Sequence, residues 1–147
     1  MKVFLDTNII LDLLLERDGY EASAHLFQLQ DEGRLELCVS VLTMVNVAYV
    51  YKKFVGQDAM IPNLKYLSLL VKILPMDSDT IQHSLYLDGK DYEDILQYTC
   101  AIQNSCDALI TRNEKDFKIR EGLKEPSGQI PVYSPSAFTR TLSTNPA

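Results

Sequence analysis

The sequence predicts an α/β sandwich in which helices cover a mainly parallel β-sheet. Short apolar segments typical of buried strands alternate along the chain with longer segments of helical periodicity. The first strand, Lys2–Leu5, is apolar on both faces after its lysine, as expected in the middle of a parallel sheet. It ends at Asp6, and the cap-type residues Thr7 and Asn8 then begin an apolar helix. A strand that turns at once into a helix is the usual border of a ligand crevice in such sheets.

The remaining elements follow from apolar spacing, capping residues and glycines. Helices are predicted over residues 20–33, 41–54, 58–72, 77–87 and 92–104, and from 134 onwards. Strands are predicted over residues 35–40, 73–76, 107–111 and 130–133. Residues 112–117 form a tight connection, and the polar segment 118–129 is expected to be a mobile loop.

The length of 147 residues fits a single domain over residues 1–142, followed by a frayed tail over 143–147. No apolar run reaches the ~20 residues that span a bilayer, and the N-terminus lacks the pattern of a signal peptide. The three cysteines form no CxxC pair and predict buried free thiols in a reducing cytosol. We therefore expect a cytoplasmic protein that does not contact a membrane.

The net charge of −6 argues against strong, non-specific binding of nucleic acid, which depends on lysine and arginine. It does not exclude an enzyme that acts on nucleic acid, because clustered carboxylates that hold divalent cations also make a chain acidic.

Four places carry side chains suited to chemistry. They are Asp6, Asn46 in the helix after the second strand, the segment 91–94 that opens a helix, and the turn 111–117. If the 107–111 strand lies beside the first strand, Asp6 and this turn share one crevice, and Asp94 reaches it from the side. Oxygen ligands without histidine or cysteine favour Mg²⁺ or Mn²⁺. Such an ion suits hydrolysis of a phosphodiester.

Each of these residues also has a purely structural interpretation. Asp6 would serve as a helix cap, and Asp94 would interact with the helix dipole. Asp116 would be a turn residue, and Asn46 a hydrogen-bonded amide in the core. The case for a site depends on the order of the four places and on their positions at strand ends.

Three segments together resemble the PIN-domain family, which includes toxin ribonucleases of bacterial toxin–antitoxin modules. They are FLDTNIILD from Phe4, DYEDILQ from Asp91 and LITRNEKDF from Leu109, and IPVYSP from Ile130 is similar to the family's closing segment. The resemblance spans nearly the whole chain. It implies a three-layer α/β/α sandwich with strand order 3-2-1-4-5 and Mg²⁺- or Mn²⁺-dependent cleavage of single-stranded RNA.

The same resemblance implies roles for individual residues. Asp6 matches the first acidic position of the family and Asp94 the third. The second and fourth acidic positions fall on Asn46 and Asn113, whose amide oxygens can still bind a cation but carry no charge. Asp116, or Asp91, would then restore negative charge.

The first hypothesis is a PIN-type, metal-dependent endoribonuclease, a toxin component with an antitoxin protein as partner and with the capacity to form a homodimer. Asp6, Asp94 and Asp116 would bind the metal, and Asn46 and Asn113 would complete the catalytic set. The supporting residues would be Thr7, Asn8, Asp91 and Thr111.

Two alternatives remain open at this stage. One is a binding module of the same fold whose metal site is degenerate. The other is a phosphotransfer domain of the receiver or haloacid-dehalogenase type, since both place an aspartate after the first strand. The dehalogenase motif needs a second aspartate where this chain has Asn8, and a receiver needs a lysine where this chain has Thr-Arg-Asn from Thr111.

Overall fold

The computed structural model describes residues 1–121 and 130–144, which form a parallel sheet of five strands with helices on both faces. The strands are Lys2–Leu5 (β1), Glu36–Ser40 (β2), Lys72–Leu74 (β3), Leu87–Asp88 (β4), Ala108–Ile110 (β5), Arg120–Glu121 (β6) and Val132–Tyr133 (β7). The helices are Thr7–Leu14 (α1), Tyr20–Asp31 (α2), Val41–Val55 (α3), Gln57–Leu70 (α4), Ser78–Ser84 (α5), Tyr92–Gln103 (α6) and Pro135–Thr144 (α7). A 3₁₀ turn covers Glu114–Asp116.

The main sheet has the order β3-β2-β1-β5-β7, and all its strand pairs are parallel. Counted along the chain, its five strands read 3-2-1-4-5, so the predicted order is confirmed. β1 is the central strand, with Phe4 opposite Cys38 on one side and Leu109 on the other. The unbroken apolar sequence of β1 therefore reflects burial on both faces of the sheet.

Successive side chains of β1 enter two separate hydrophobic cores, because side chains alternate across a strand. Val3 and Leu5 pack with α1, α2, α3, α4 and α7. Phe4, which is fully buried, packs on the other face with Ile95 and Tyr98 of α6. Removing a buried phenylalanine side chain of this kind costs about 3–5 kcal/mol. Because residues 3–5 alternate between the two faces and all are apolar, helices must cover both faces of the sheet, which gives the three-layer α/β/α arrangement.

The carboxyl ends of β1, β2 and β5 meet at one edge of the sheet. Asp6 follows β1 and caps α1, while Ser40 ends β2 and caps α3. Thr111 follows β5, and its backbone N–H donates to the carbonyl of Tyr133, the last residue of β7. Asp91 caps α6, which begins beside the same edge. Polar residues that start helices are therefore gathered where the strands stop.

Some predicted boundaries were wrong. The helix expected over 77–87 ends at Ser84, because β4 pairs antiparallel with β6. The chain after β4 packs closely against α6, since a Cβ added to Gly89 would lie only 2.9 Å from Cγ1 of Ile95. Position 89 therefore favours glycine. Ile119 is buried in the core, so the predicted mobile loop does not begin at 118, and residues 122–129 lie outside the described range.

The remaining differences are small. The helix α7 runs to Thr144, two residues into the predicted tail, and residues 145–147 are not described. Cys38, Cys100 and Cys106 are free and buried, as predicted. Within residues 1–121 and 130–144, no helix combines the length and apolarity that crossing a membrane requires.

Candidate active site

Asp6 lies at the centre of the polar edge of the sheet and is only 6% exposed. Its Oδ1 accepts a hydrogen bond from the backbone N–H of Thr7 at 2.9 Å, and its Oδ2 accepts one from the hydroxyl of Thr111 at 3.0 Å. The Asp6 backbone N–H donates to the carbonyl of Ile110, which fixes the residue against β5. These contacts hold the carboxyl group in one orientation and bring no positive charge to it.

Burial raises the pKa of Asp6 above its ordinary value, and the negative charge of Asp91 raises it further. The hydrogen bonds from Thr111, Thr7 and Gln97 act in the opposite direction but do not outweigh burial. The ionised form of Asp6 is therefore destabilised in the absence of a cation.

Gln97 connects Asp6 to the helix caps beneath it. This side chain on α6 is completely buried. Its Nε2 lies 2.6 Å from Oγ1 of Thr43, 3.2 Å from Oγ1 of Thr7 and 3.4 Å from Oδ1 of Asp6, while its Oε1 accepts a hydrogen bond from Ser40 at 2.5 Å. One amide thus joins the ends of β1 and β2 to α6. Buried polar groups need such partners, because an unpaired one costs about 1–3 kcal/mol.

The first turn of α6 presents three acidic residues to the same edge. Asp91 caps the helix by accepting a hydrogen bond from the backbone N–H of Asp94 at 3.2 Å. Glu93 lines the same cavity as Asp6. Partial desolvation raises the pKa of Glu93, and the negative charges of Asp6 and Asp91 raise it further. The carboxyl groups of Asp6 and Glu93 therefore disfavour each other's ionised form.

Asn46 on α3 donates a hydrogen bond from Nδ2 to Oε1 of Glu93 at 2.7 Å. It also lines a cavity of about 280 Å³ that includes Asp6, Asp94 and Glu93. Asn46 thus lies beside the acidic side chains, and its amide contacts the carboxylate of Glu93.

These residues enclose an open, mainly polar cavity of about 460 Å³ at the sheet edge. Its lining consists of four carboxylates, two asparagines, a lysine, a threonine and a phenylalanine: Asp6, Asp91, Glu93, Asp94, Asn8, Asn113, Lys90, Thr111 and Phe117. Asp6 and Asp94, which are 88 positions apart in the sequence, thus line one cavity.

The donor set of this cavity fits a hard divalent cation. All its candidate ligands are oxygen atoms, and neither histidine nor cysteine lines it. Within the described ranges, no three His, Cys, Asp or Glu side chains are gathered closely enough to form a ready-made metal cluster. Mg²⁺ commonly uses one or two carboxylates and keeps several waters, so an open cavity with separated carboxylates suits it. A cation would also remove the repulsion that raises the pKa of Asp6 and Glu93.

The other predicted residues have different outcomes. Asn8 and Thr111 line the cavity, and Thr7 contributes through its backbone and hydroxyl. Asn113 lines it too, and its backbone N–H donates to Oγ1 of Thr111 at 3.3 Å. The backbone of Asp116 lies in the 3₁₀ turn, but the position of its side chain is outside what the structure describes.

Sequence reasoning gave Glu93 no role of its own within the segment 91–94, and it missed Gln97. They are four residues apart and so lie on the same face of α6, one turn from each other. That spacing, together with the cap at Asp91, was the available signal. Lys90 and Phe117, which line the cavity, were not predicted as site residues either.

A sequence model of the PIN domain matches residues 2–115, which include every described residue of the cavity except Phe117. This chain belongs to the PIN-domain family. The predicted family and fold are confirmed, and Asp6 occupies the end of the central strand in a PIN-type sheet.

Comparisons with individual proteins agree with the PIN assignment. The chain is 29% identical over 122 residues to "Ribonuclease VapC1" of Aquifex aeolicus (strain VF5), covering 79% of this chain and 83% of that protein. A structure described as a toxin-antitoxin complex from Klebsiella pneumoniae aligns with a TM-score of 0.61 and 23% identity, over 90% of this chain and 97% of the other. A DNA-bound VapBC structure from Salmonella typhimurium gives 0.67 and 16% identity, over 92% and 98%. The two structural likenesses show the shared fold.

Proposed function

We propose that this PIN-domain protein is a metal-dependent endoribonuclease that hydrolyses phosphodiester bonds in single-stranded RNA as the toxin of a toxin–antitoxin pair. The observation that carries the proposal is the convergence of Asp6 with Asp91, Glu93 and Asp94 in one polar cavity. The relative named as a ribonuclease supports the same activity. Because the proposed substrate is RNA, the proposed location is the cytoplasm.

Asp6, Glu93 and Asp94 would hold Mg²⁺ or Mn²⁺, and Asp116 is the further candidate ligand from the sequence. When bound, such an ion lowers the pKa of a water molecule and offsets the negative charge that develops on the phosphate. Asn8 and Asn113 offer neutral amide oxygens to the same cavity. Their neutrality limits the negative charge that an approaching phosphodiester meets.

The chain's own contribution is to fix the carboxylates before the substrate binds. Thr111 and Thr7 hold the two oxygens of Asp6, and Gln97 anchors this group from below. Asn46 on α3 orients Glu93 through its hydrogen bond to Oε1. Groups that are held in place in this way need no reorganisation when the reaction begins.

The proposed protein partner is an antitoxin, because the structures with the same fold include complexes described as toxin–antitoxin and VapBC. Apolar side chains are exposed on α3 and α4, at Val45, Tyr49, Tyr66 and Leu69. They offer contact area for such a partner or for a second copy of the chain, since exposed apolar patches often mark interfaces.

A PIN-fold binding module with a weak or inactive metal site is the second candidate. It is favoured by the neutral residues Asn46 and Asn113 and by the lack of a ready three-carboxylate cluster among residues 1–121 and 130–144. Such a module would bind RNA or protein without hydrolysing the RNA.

A cleavage assay with a matched variant separates the two candidates. Purified wild-type protein should cut a single-stranded RNA with Mn²⁺, and a chelator should stop the reaction. Asp6→Asn should abolish cleavage, whereas Asp31→Asn, at an exposed position at the end of α2, should not. Equal cleavage by wild type and Asp6→Asn would show that the activity belongs to a contaminant or to another site. Absence of Mn²⁺ binding at millimolar concentration would favour the binding module.

A further inference from the structure

A second charged cluster lies beside the cavity and is centred on Asp12 of α1. Asp12 is only 3% exposed although it is a carboxylate. Two guanidinium groups meet on its Oδ1: Nε of Arg17 at 2.9 Å and Nη1 of Arg112 at 2.8 Å. The Arg17 Nε–H is not directed along a hydrogen bond to this oxygen, so its contribution is mainly electrostatic. Two positive charges around one negative charge leave the cluster with a net charge of +1.

This cluster adjoins the proposed active site. Arg112 directly follows Thr111, which holds Asp6. Nη2 of Arg17 lies 3.5 Å from Oδ1 of Asn8, and Asn8 lines the active-site cavity. The surplus positive charge is therefore at the rim of a cavity that is otherwise rich in carboxylates.

Arg112 also faces a cavity of its own, of about 240 Å³, lined by Arg112, Asn113, Glu114 and Lys115. Asn113 lines this cavity and the active-site cavity as well, so the two are neighbours. The lining carries two positive side chains and one negative one. Its charge is thus opposite to that of the acidic cavity next to it.

The guanidinium of Arg112 is prepared to bind an anion. Its side chain is 43% exposed, and within the described residues its only hydrogen bond is the one from Nη1 to Asp12. An arginine has five N–H donors in a rigid planar fork that matches the oxygens of a phosphate. Because Asp12 fixes one side of the fork, little side-chain entropy is lost when the other side binds.

We propose that Arg112, held by Asp12 and with Lys115 on the same cavity, binds an RNA phosphate adjacent to the phosphodiester in the acidic cavity. This inference deepens the proposed function and depends on it for the identity of the polyanion. Arg17 offsets the charge of Asp12, so Arg112 keeps its attraction for phosphate.

The test measures RNA binding without hydrolysis. A fluorescein-labelled single-stranded oligoribonucleotide is titrated with protein in a chelating buffer, and fluorescence anisotropy is recorded from about 50 to 200 mM salt. Loss of one phosphate contact should reduce the slope of log affinity against log salt by about 0.7 for a single strand. We expect Arg112→Gln to show this reduction and to weaken binding about tenfold at the lowest salt. Lys115 is also exposed, and Lys115→Gln should likewise reduce the slope and weaken RNA binding.

Arg34→Gln is the matched control. Arg34 is exposed and precedes β2, so it lies at the opposite edge of the sheet. Its substitution removes the same positive charge as Arg112→Gln. It should leave affinity and slope unchanged, and unfolding midpoints of all variants verify that they are folded. Slopes for Arg112→Gln and Lys115→Gln equal to the wild-type slope would overturn the proposal, as would no RNA binding by the wild type at 50 mM salt.

This outcome is separate from the outcome for the proposed function. If Arg112→Gln has a smaller salt slope than the wild type but Mn²⁺ supports no cleavage, the phosphate subsite is supported and the proposed nuclease activity is refuted. If cleavage is metal-dependent and requires Asp6 while the slopes remain equal, only the subsite fails.

Discussion

The side-chain amide of Asn46 on α3 donates a 2.7 Å hydrogen bond to Oε1 of Glu93 on α6, and so joins helices that cover opposite faces of the sheet. The contact crosses the sheet edge where Asp6 lies. An amide at this point adds no charge to the cavity, but it determines where the carboxylate of Glu93 points. Groups that orient a metal ligand in this way commonly change metal affinity or activity by 10–100-fold when they are removed.

Asn46→Ala should therefore weaken Mn²⁺ binding and RNA cleavage by about 10–100-fold, because Glu93 loses the donor that orients it. Calorimetric titration with Mn²⁺ and the initial rate of cleavage measure the two effects. Asn63→Ala is the control, since Asn63 on α4 bonds to Tyr51 and to the backbone, away from the cavity. An Mn²⁺ affinity equal to that of the wild type would refute the orienting role of Asn46.

Glu93→Gln should reduce Mn²⁺-dependent cleavage by at least about 100-fold, or ~2.7 kcal/mol in the barrier. The substitution keeps the shape of the side chain and removes one of the negative charges that line the cavity with Asp6. The comparison variant is Glu21→Gln, an exposed acidic residue in the first turn of α2. Wild-type kcat in Glu93→Gln would exclude Glu93 from the metal site.

Gln97→Leu should lower the free energy of unfolding by about 2–3 kcal/mol, because Ser40, Thr43 and Thr7 lose a buried partner. Urea denaturation followed by circular dichroism measures the change. Gln82→Leu on α5 is the control, since Gln82 is exposed and the same chemical change there should cost less than about 0.5 kcal/mol. Equal midpoints for the two variants would mean that the network around Gln97 contributes little to stability.

The raised pKa of Asp6 predicts how stability depends on pH in metal-free protein. The folded chain binds this proton more tightly than the unfolded chain, so the associated stability is complete below the unfolded-state pKa. It is lost as pH rises through the folded-state pKa. Asp6→Asn should therefore raise the thermal midpoint at pH 7 but have little effect below about pH 4, near the unfolded-state value. The comparison uses melting curves at both pH values, and a difference that does not change with pH would contradict it.

Divalent metal should have the opposite effect on the wild type. Mn²⁺ at 100 times its Kd should stabilise the folded protein by about 2.7 kcal/mol, and a chelator should reverse the effect. Differential scanning fluorimetry with and without metal measures it. Asp6→Asn should show no metal-dependent shift, so an equal shift in both proteins would place the metal elsewhere.

The sequence was sufficient to predict the features that are local or that follow from strand periodicity. The central position of β1 follows from the unbroken apolar run of residues 3–5, and Asp6 was identifiable as a cap. Parallel strands whose carboxyl ends share an edge then bring Asp6 and Thr111 together. None of these inferences requires knowledge of how one helix is rotated against its neighbour.

Features that depend on helix rotation were not predictable. Glu93 and Asp94 are adjacent in the first turn of α6, and the pattern alone does not show how each will be directed towards Asp6. Nothing in the sequence around Gln97 marks it as a site residue. Its role is visible only in the folded protein, where α6 brings it into contact with Thr7 and Thr43. The strands β4 and β6 have two residues each, and three of these four residues are charged, so neither strand gives the apolar signal that predicted β7.

The hydrogen bond between Asp6 and Thr111 joins residues 105 positions apart, and its consequence concerns protein synthesis. A ribosome that translates this chain adds the threonine 105 residues after the aspartate. The nascent chain therefore cannot close the cavity around Asp6 until residue 111 has left the ribosome, whatever has folded before that point.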